Sequence, residues 1–321
     1  MINTVDNSIK KNILISVLMP TYNVVRFVEE AVNSILKQTY VNFEFIIVDD
    51  FSTDGTYEKL LELASKDFRI KLFRNEMNSG IVETLNFALS KSKGEYIVRM
   101  DGDDLCSPLK LEKQLEFLLN NEDISLVGCD VICIDENDAV LNNVITSHTV
   151  KCTKKILSYV SPVLHIWMCK KEIYMILNGY RQLGGSEDYD FLLRMDSLGY
   201  KFLNIPFFGY SVRLRSGNTQ TTKGLYQRKI VYYIRRLYKE RLVKNFDSFN
   251  LADRDKITKS NPILEKIHKL SINFTYKAIQ SRGEKKYVLF LFYLLFSLVS
   301  PYQIQYYFEN FLVKMYLKKY N

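Results

Sequence analysis

The stretch that decides the fold of this chain runs from Glu95 to Asp104 and reads Glu95-Tyr96-Ile97-Val98-Arg99-Met100-Asp101-Gly102-Asp103-Asp104. Its first half has the composition of a short buried strand, and three carboxylates follow within four residues. Carboxylates this close repel one another, so they would cost stability unless a cation or sugar hydroxyls lay among them. The alternative is a plain acidic loop or a helix cap before Pro108. The rest of the chain has to decide between the two interpretations.

Strand-like and helix-like segments alternate along the first hundred residues. Apolar, β-branched runs predict strands at Ile13–Met19, Phe43–Val48, Ile70–Phe73 and Tyr96–Met100. Helical spacing of apolar residues predicts helices at Val24–Gln38, Tyr57–Ser65 and Ile81–Ser90. We expect Pro20 to break the first strand. The alternation predicts an α/β fold with a mostly parallel sheet, right-handed crossovers and flanking helices.

Polar side chains follow three of the predicted strands. Thr21 and Tyr22 come after the first strand, Asp49 and Asp50 after the second, and residues 101–104 after the fourth. Because ligands of such sheets bind beyond the carboxyl ends of the strands, we expect these side chains to line one site. No G-x-G-x-x-G follows the first strand and no P-loop motif occurs, which argues against dinucleotide-binding, nucleotidyltransferase and P-loop functions.

A second acidic segment lies in the weaker-patterned later part. Helices are predicted at Lys110–Leu119 and Lys170–Leu177, and a strand at Ile124–Cys129, whereas residues 131–160 give no clear pattern. Ser186 is the predicted N-cap of a helix that continues through Phe191–Leu198, with Glu187 and Asp188 in its first turn. Capping is the structural interpretation of both acids, and a catalytic role stays open.

Charge and cysteine content separate the chain into two parts. Residues 221–321 hold 20 Lys and Arg against 7 Asp and Glu, so they carry +13 and residues 1–220 carry −5. A basic, aromatic-rich segment suits an anionic surface, either membrane or nucleic acid. The five cysteines are irregularly spaced and form no zinc motif, and residues 1–11 are polar without a signal-peptide core. Both features predict a reduced, cytoplasmic protein.

The motifs together resemble family 2 glycosyltransferases. The matching segments, in the family's order, are residues 15–23, 34–40, 44–56, 78–80, 101–104 and 187–194, and the resemblance covers roughly Ile13 to Gly217. It implies a GT-A fold and an inverting transfer of a sugar from a nucleotide donor, usually a UDP-sugar. It also divides residues 1–220 into a nucleotide-sugar half, about 1–104, and an acceptor half, about 105–220.

The resemblance assigns roles to residues of this chain. Asp50 lies where family members bind the nucleobase, and Thr21 and Tyr22 where they contact base and ribose; Asp49 is a weaker match that could simply support the strand end. Asp103 and Asp104 would bind ribose and a cation, Mg²⁺ or Mn²⁺, with Asp101 supporting them. Asp188 matches the general base, and its place in the first turn of a helix would keep it ionised.

One departure from the family concerns the metal. Many relatives carry an Arg-x-His after a strand, and here Arg213 and Arg215 occupy that stretch, with Arg215 at the position of the histidine. Either the metal relies on carboxylate and phosphate oxygens, or the two arginines neutralise the diphosphate themselves. His165 and Trp167 fall on a segment near the acceptor side. We expect Trp167 to be a core residue and leave His165 open.

The basic segment 221–321 is predicted to be a helical extension. Helical spacing covers Tyr226–Val243, and Tyr287–Val299 is an apolar run too short to span a bilayer. With Lys285-Lys286 before it and Lys318-Lys319 at the end, the run is expected to attach to a membrane surface; packing on the catalytic domain or a homodimer contact are the alternatives.

The leading interpretation is a glycosyltransferase at the cytoplasmic face of the plasma membrane that acts on a glycan or lipid-linked acceptor in polysaccharide biosynthesis. The alternative is a non-catalytic, nucleotide-sugar-binding scaffold that retains the fold. A processive synthase would need several spanning helices and usually carries a Q-x-x-R-W motif, and the sequence shows neither. Nucleic-acid binding has no module to support it.

Overall fold

The computed structural model describes residues 12–215, 224–259, 261–283 and 285–321. Residues 1–11, on which the signal-peptide prediction rests, and Gly217, at the end of the family resemblance, lie outside the described residues.

The elements follow the predicted alternation. The strands are β1 Ile15–Thr21, β2 Phe43–Asp49, β3 Ile70–Arg74, β4 Tyr96–Arg99, β5 Leu105–Cys106, β6 Ile124–Ile134, β7 Val140–Val144, β8 Met168–Lys170 and β9 Lys201–Arg213. The helices up to β9 are α1 Val28–Leu36, α2 Thr56–Ala64, α3 Ile81–Lys91, α4 Lys110–Asn120, α5 Val150–Leu157, α6 Lys171–Ile176 and α7 Glu187–Ser197. After β9 come α8 Gly224–Lys244, α9 Leu251–Thr258, α10 Pro262–Gly283, α11 Tyr287–Phe296, a 3₁₀ turn Ser297–Val299 and α12 Pro301–Tyr320.

The described strands form one sheet in the order β3-β2-β1-β4-β8-β6-β9-β5, and β7 pairs with β6. The strands β3, β2, β1 and β4 are parallel, as predicted. The second half is mixed, because β8 runs antiparallel to both β4 and β6. Pro20 does not end β1 as expected; it pairs with Val48, while β4 pairs with β1 only as far as Leu18.

Side chains of the central strands alternate between two apolar layers. In β1, Val17 and Met19 pack on the side of α1, α2 and α4, whereas Leu18 packs on the side of α3 and α7. All residues of β1, β2 and β4 are buried. Burial on both faces explains why these strands read as continuous apolar runs.

The part of the chain without a clear pattern, residues 131–160, contains the end of β6, β7 and α5. The predicted strand at Ile124–Cys129 continues to Ile134 with β-bulges in its pairing to β9. The strand β7 is largely exposed, so its sequence carries no apolar alternation that could have predicted it.

The first helix of the basic extension is part of the apolar core. Buried residues of α8, among them Ile230, Tyr233 and Leu237, belong to the same apolar layer as α3 and α7. The apolar helix α11 packs on α10 but leaves most of its side chains exposed. In the described part of the chain no single helix is long and apolar enough to cross a membrane; the segments Tyr287–Val299 and Pro301–Tyr320 pass that test as a pair, bent by 116°.

Candidate active site

The three carboxylates lie on a tight loop at the carboxyl end of β4. Gly102 brings this loop against the end of β1, because a Cβ at this position would lie 2.8 Å from Thr21 Cγ2. The backbone N–H of Asp101 donates to the Tyr210 hydroxyl at 3.1 Å, which ties the loop to β9. The acidic segment is therefore a built corner of the sheet edge and not a free loop.

Asp101 lies between Arg99 and His165. Arg99 Nε donates to Asp101 Oδ1 at 3.1 Å, and His165 Nε2 lies 3.0 Å from Asp101 Oδ2. Burial disfavours the ionised carboxyl, but the charge of Arg99 and the interaction with His165 outweigh that effect and hold the pKa of Asp101 well below its usual range. Asp101 therefore stays ionised, which agrees with its predicted supporting position.

Arg99 links the loop to the start of α7. Its Nη1 donates to Glu187 Oε1 at 2.9 Å, and both side chains are about 95% buried, with exposed fractions of 6% and 5%. Glu187 Oε2 accepts from the Gly185 N–H at 2.8 Å. No role was predicted for Arg99. An arginine in an otherwise apolar strand was nevertheless a signal for a buried ion pair, because a buried guanidinium requires an acidic partner.

The predicted capping by Ser186 is wrong in detail. Ser186 stands at the N-cap position, but its side chain makes no cap hydrogen bond and donates instead to the Gly185 carbonyl at 2.7 Å. The carboxylate of Glu187 instead accepts the backbone hydrogen bond from the Gly185 N–H, while its other oxygen accepts from Arg99. Glu187 is thus a buried ion-pair partner in addition to a first-turn acid.

Asp188, the predicted base, lies half-buried in the first turn of α7, where its Oδ1 accepts from the Tyr189 N–H at 2.8 Å. Burial raises the pKa of this carboxyl, and the neighbouring charge of Glu187 raises it further, although His165 and Arg99 act in the opposite direction. The first-turn position expected to keep Asp188 ionised is thus opposed by burial and by Glu187, and that expectation stays a prediction. A raised pKa favours a base that can accept a proton near neutral pH.

Asp104 is the buried member of the acidic loop. Its Oδ1 accepts from the Arg213 N–H at 2.8 Å. Burial raises the pKa of Asp104 well above its usual value, and the nearby charges of Asp103 and Asp101 add to the effect. A cation bound beside Asp104 would relieve this repulsion and favour the ionised form.

Three ligand-type side chains converge at this point. One ligand atom from each of Asp101, Asp104 and His165 can be chosen so that all lie within 4.8 Å of one another. Among the described residues, buried His165 Nε2 makes no hydrogen bond of good geometry despite its approach to Asp101. Carboxylates are the donors that suit Mg²⁺ and Mn²⁺, and an imidazole is a common ligand of divalent transition metals, so the residues fit a divalent cation.

The two arginines at the end of β9, Arg213 as its last residue and Arg215 just after it, bind the acidic loop itself. Arg215 Nε donates to Asp103 Oδ2 at 2.6 Å, and its side chain remains 21% exposed. Arg213 is 1% exposed; its Nε donates to the Asp103 carbonyl at 2.8 Å, and its Nη1 lies 2.6 Å from Asp138 Oδ1. Arg213 therefore holds the loop from inside, and Arg215 is the more exposed of the two arginines.

The residues predicted to bind the nucleotide lie at the carboxyl ends of β1 and β2. Thr21 is buried and Tyr22 is 47% exposed. The carboxylate of Asp50 accepts three hydrogen bonds of 2.8 Å, from Asn75 Nδ2 and from the N–H groups of Ser79 and Gly80. Asp50 thus fixes the loop before α3, and a nucleobase would share oxygens that are already bonded. Its nucleobase contact stays a prediction.

Asp49 supports the end of β2, which is the structural role that the sequence analysis left open for it. It is fully buried, its Oδ2 accepts from the Ser52 N–H at 3.0 Å, and Arg74 Nε lies 3.3 Å away. Arg74 also lies over the rings of Phe51 and Tyr57, with the guanidinium carbon 4.4 Å from the Tyr57 centroid. Arg74 is a polar group at this edge that the sequence analysis did not single out.

Comparison with known proteins gives the family. The model of glycosyl transferase family 2 matches residues 16–174. The chain is 36% identical over 204 residues to EpsE of Bacillus subtilis, which is provisionally named a glycosyltransferase, with 62% of this chain and 72% of EpsE covered. The chain belongs to glycosyltransferase family 2. It is 32% identical over 240 residues to the O-antigen biosynthesis glycosyltransferase WbnJ of Escherichia coli, with 73% and 92% covered.

A third relative of this glycosyltransferase has a more specific name. It is the Escherichia coli protein WfgD, a UDP-Glc:alpha-D-GlcNAc-diphosphoundecaprenol beta-1,3-glucosyltransferase, which is 39% identical over 127 residues, covering 40% of this chain and 49% of WfgD. The aligned part covers less than half of either chain.

Solved structures confirm the GT-A fold of this family 2 glycosyltransferase. The mannosyltransferase PcManGT from Pyrobaculum calidifontis, in complex with GDP-Man and Mn²⁺, aligns with a TM-score of 0.59 at 18% identity, covering 92% of this chain and 86% of that one. Residues 1–349 of S. aureus TarS in complex with UDP align with a TM-score of 0.54 at 19% identity, covering 80% and 79%.

The predicted core role of Trp167 is confirmed. The indole is fully buried, donates through Nε1 to the Tyr174 hydroxyl at 2.8 Å, and stacks on Phe191 with centroids 5.7 Å apart. His165, two residues earlier, instead lies beside Asp101 of the acidic loop. The same short segment therefore supplies one core residue and one site residue of the glycosyltransferase.

Proposed function

We propose that this glycosyltransferase moves a sugar with inversion from a UDP-sugar to a hydroxyl group of a glycan or lipid-linked acceptor. The observation that carries the proposal is the convergence of Asp101, Asp104 and His165 at the end of β4, in the electrostatic neighbourhood of Asp188. A divalent cation at the first group would offset the charge that develops on the departing diphosphate. Asp188 would accept the proton of the attacking hydroxyl.

The metal site is proposed to use His165 in place of the histidine that Arg215 replaces. The sequence alone predicted Asp103 and Asp104 as ligands, but Asp103 pairs with Arg215, whereas Asp104 lies with Asp101 and His165. Arg215 would then complement the cation by binding a phosphate oxygen. PcManGT was solved with Mn²⁺, which supports Mn²⁺ or Mg²⁺ as the ion.

The donor is proposed to be a UDP-sugar. The name of WfgD specifies UDP-Glc, and TarS was solved with UDP, whereas PcManGT was solved with GDP-Man. Thr21, Tyr22 and Asp50 would contact the nucleoside and Asp103 the ribose. GDP is therefore the competing nucleotide in any binding test.

The acceptor and location are proposed from two sources. WfgD is named for a diphosphoundecaprenol-linked acceptor and WbnJ for O-antigen biosynthesis, which supports a lipid-linked saccharide. The five cysteines are free thiols, and a protein with five unpaired thiols suits a reducing compartment. We place the enzyme at the cytoplasmic face of the plasma membrane.

Isothermal titration with UDP, GDP and dTDP, each with and without Mn²⁺, tests the donor and metal parts together. We expect UDP to bind more tightly when Mn²⁺ is present. His165→Ala should abolish that increase, and the control His148→Ala should keep it, because His148 pairs with Asp130 outside the site. An Asp103→Ala variant distinguishes the two ligand sets. It should keep the Mn²⁺-dependent increase if Asp101, Asp104 and His165 bind the ion, and lose it if Asp103 is a ligand. A folded wild type that binds none of the three nucleotides would contradict the proposal.

The role of Asp188 needs a turnover measurement. Asp188→Asn should keep metal-dependent UDP binding but lower kcat by about 10²–10⁴, the usual contribution of a positioned general base. If Asp188→Asn weakened UDP binding but left kcat unchanged, the assignment of the base would be wrong.

A further inference from the structure

Helix α11 and the 3₁₀ turn after it expose an unusual amount of apolar surface. Val288 is 83% exposed and Leu295 is 67% exposed. The exposed apolar residues of this segment, which we call the apolar finger (residues 287–299), are Tyr287, Val288, Leu289, Leu291, Phe292, Leu295, Phe296, Leu298 and Val299. Contiguous exposed apolar surface of this kind marks a binding surface.

The exposed residues cover more than a stripe. At 3.6 residues per turn they occupy about 200° of the circumference of the finger. The remaining side packs on α10, where Phe274 lies against Tyr293 and Phe296 with centroids 6.1 and 5.4 Å apart. A single partner helix, such as that of a second copy, would cover only a stripe of about 100°. An apolar phase that surrounds the finger covers all of it.

Cationic side chains border the finger. Lys277 Nζ lies 5.6 Å from the Tyr293 ring centroid, and the Arg282 guanidinium lies 5.9 Å from that of Phe290. Residues 262–321 carry nine Lys and Arg against three acids. One of these acids, Glu309, is buried against Arg235 and does not offset the surface charge. The border of the finger therefore complements an anionic surface.

The length of the finger excludes a crossing of the bilayer by this segment alone. Thirteen helical residues extend about 20 Å, and the hydrocarbon core is about 30 Å thick. Lys318 and Lys319, expected to frame the run, lie at the far end of α12, which packs on α5. The cations next to the finger include Lys277, Arg282 and the exposed pair Lys285 and Lys286.

We propose that the apolar finger inserts into the interfacial layer of an anionic lipid bilayer, with Lys277 and Arg282 at the level of the headgroups. Apolar side chains would enter the acyl boundary while the cations bind phosphate groups. This inference does not depend on the proposed sugar transfer, since lipid binding can be measured without donor or acceptor.

Co-sedimentation of the full chain with vesicles tests the proposal. Vesicles of phosphatidylcholine with phosphatidylglycerol should bind the protein more strongly than vesicles of phosphatidylcholine alone. Leu291→Ser combined with Leu295→Ser should weaken binding by at least about tenfold, because two leucines leave the apolar phase. Lys277→Gln combined with Arg282→Gln should weaken binding to the anionic vesicles by about fivefold per cation.

Phe68→Ser is the matched control, since Phe68 is 86% exposed but lies between α2 and β3. It should bind vesicles as the wild type does, and circular dichroism should show that all variants are folded. Equal binding by the leucine variant and the wild type would overturn the proposal. So would a dimer that forms without lipid in sedimentation velocity and dissociates in the leucine variant, because the finger would then be covered by a second copy.

Discussion

Replacement of Glu187 by Gln probes the buried ion pair that joins β4 to α7. Glu187 Oε1 and Arg99 Nη1 are 2.9 Å apart, and neither side chain is more than 6% exposed. Removal of one member of a buried pair leaves the other charge without compensation, which typically costs about 3–5 kcal/mol. In Glu187→Gln, Arg99 keeps its bond to Asp101 at 3.1 Å.

We expect a loss at the lower end of that range, about 3 kcal/mol. The amide oxygen of the new side chain can still accept from Arg99, which limits the cost. The amide NH₂ would face the Gly185 N–H, however, so that two donors meet where Glu187 Oε2 now accepts at 2.8 Å. An unsatisfied buried donor accounts for about 1–3 kcal/mol of the expected loss.

Urea unfolding of Glu187→Gln and of the control Glu122→Gln gives the measurement. Glu122 is exposed in the turn between α4 and β6, so its replacement should change the free energy of unfolding by less than about 0.5 kcal/mol. A double-mutant cycle with Arg99→Gln should show coupling of at least about 2 kcal/mol. A loss below about 1 kcal/mol in Glu187→Gln, or no coupling, would refute the argument that this pair holds the site together.

The remaining predictions concern the base, the loop and the extension. Because burial and Glu187 raise the pKa of Asp188 and only its ionised form accepts a proton, kcat/KM should rise with pH along a limb above the ordinary Asp value of about 3.9. In Glu187→Gln that limb should move to lower pH in a pH–rate profile; an unchanged limb would exclude Asp188 as the titrating group. Gly102→Ala should cost about 1–3 kcal/mol in urea unfolding, and Thr21→Ser, which removes the clashing methyl, should recover part of it; no recovery would contradict the close approach. Leu237→Ala should cost about 2–5 kcal/mol in the same assay because α8 belongs to the core, and a change near zero would show that it does not.

The sequence predicted the parallel half of the fold well because burial on both faces leaves a direct trace in composition. The predicted strands at Phe43–Val48 and Tyr96–Met100 match β2 and β4 within one residue. The end of β1 was missed, because Pro20 was taken as a strand breaker. Proline is tolerated there because β4 pairs with β1 only up to Leu18, so β1 has no partner among the described strands on that side at Pro20. The exposed strand β7 left no pattern to detect.

Sequence alone determined that polar residues follow the buried strands, and therefore that Thr21, Asp50 and Asp101 belong to one edge of the sheet, since parallel strands point their carboxyl ends to one edge. Asp188, in the first turn of a helix, was assigned to the same site only by the family resemblance. Tertiary structure alone decided the partners of each charge. His165 joins Asp101 and Asp104 from 64 and 61 residues further along the chain, Glu187 binds Arg99, and the separation between these residues carries no periodic signal. Pairing of buried charges depends on distances of a few ångströms and on desolvation, and both exist only once the layers have packed.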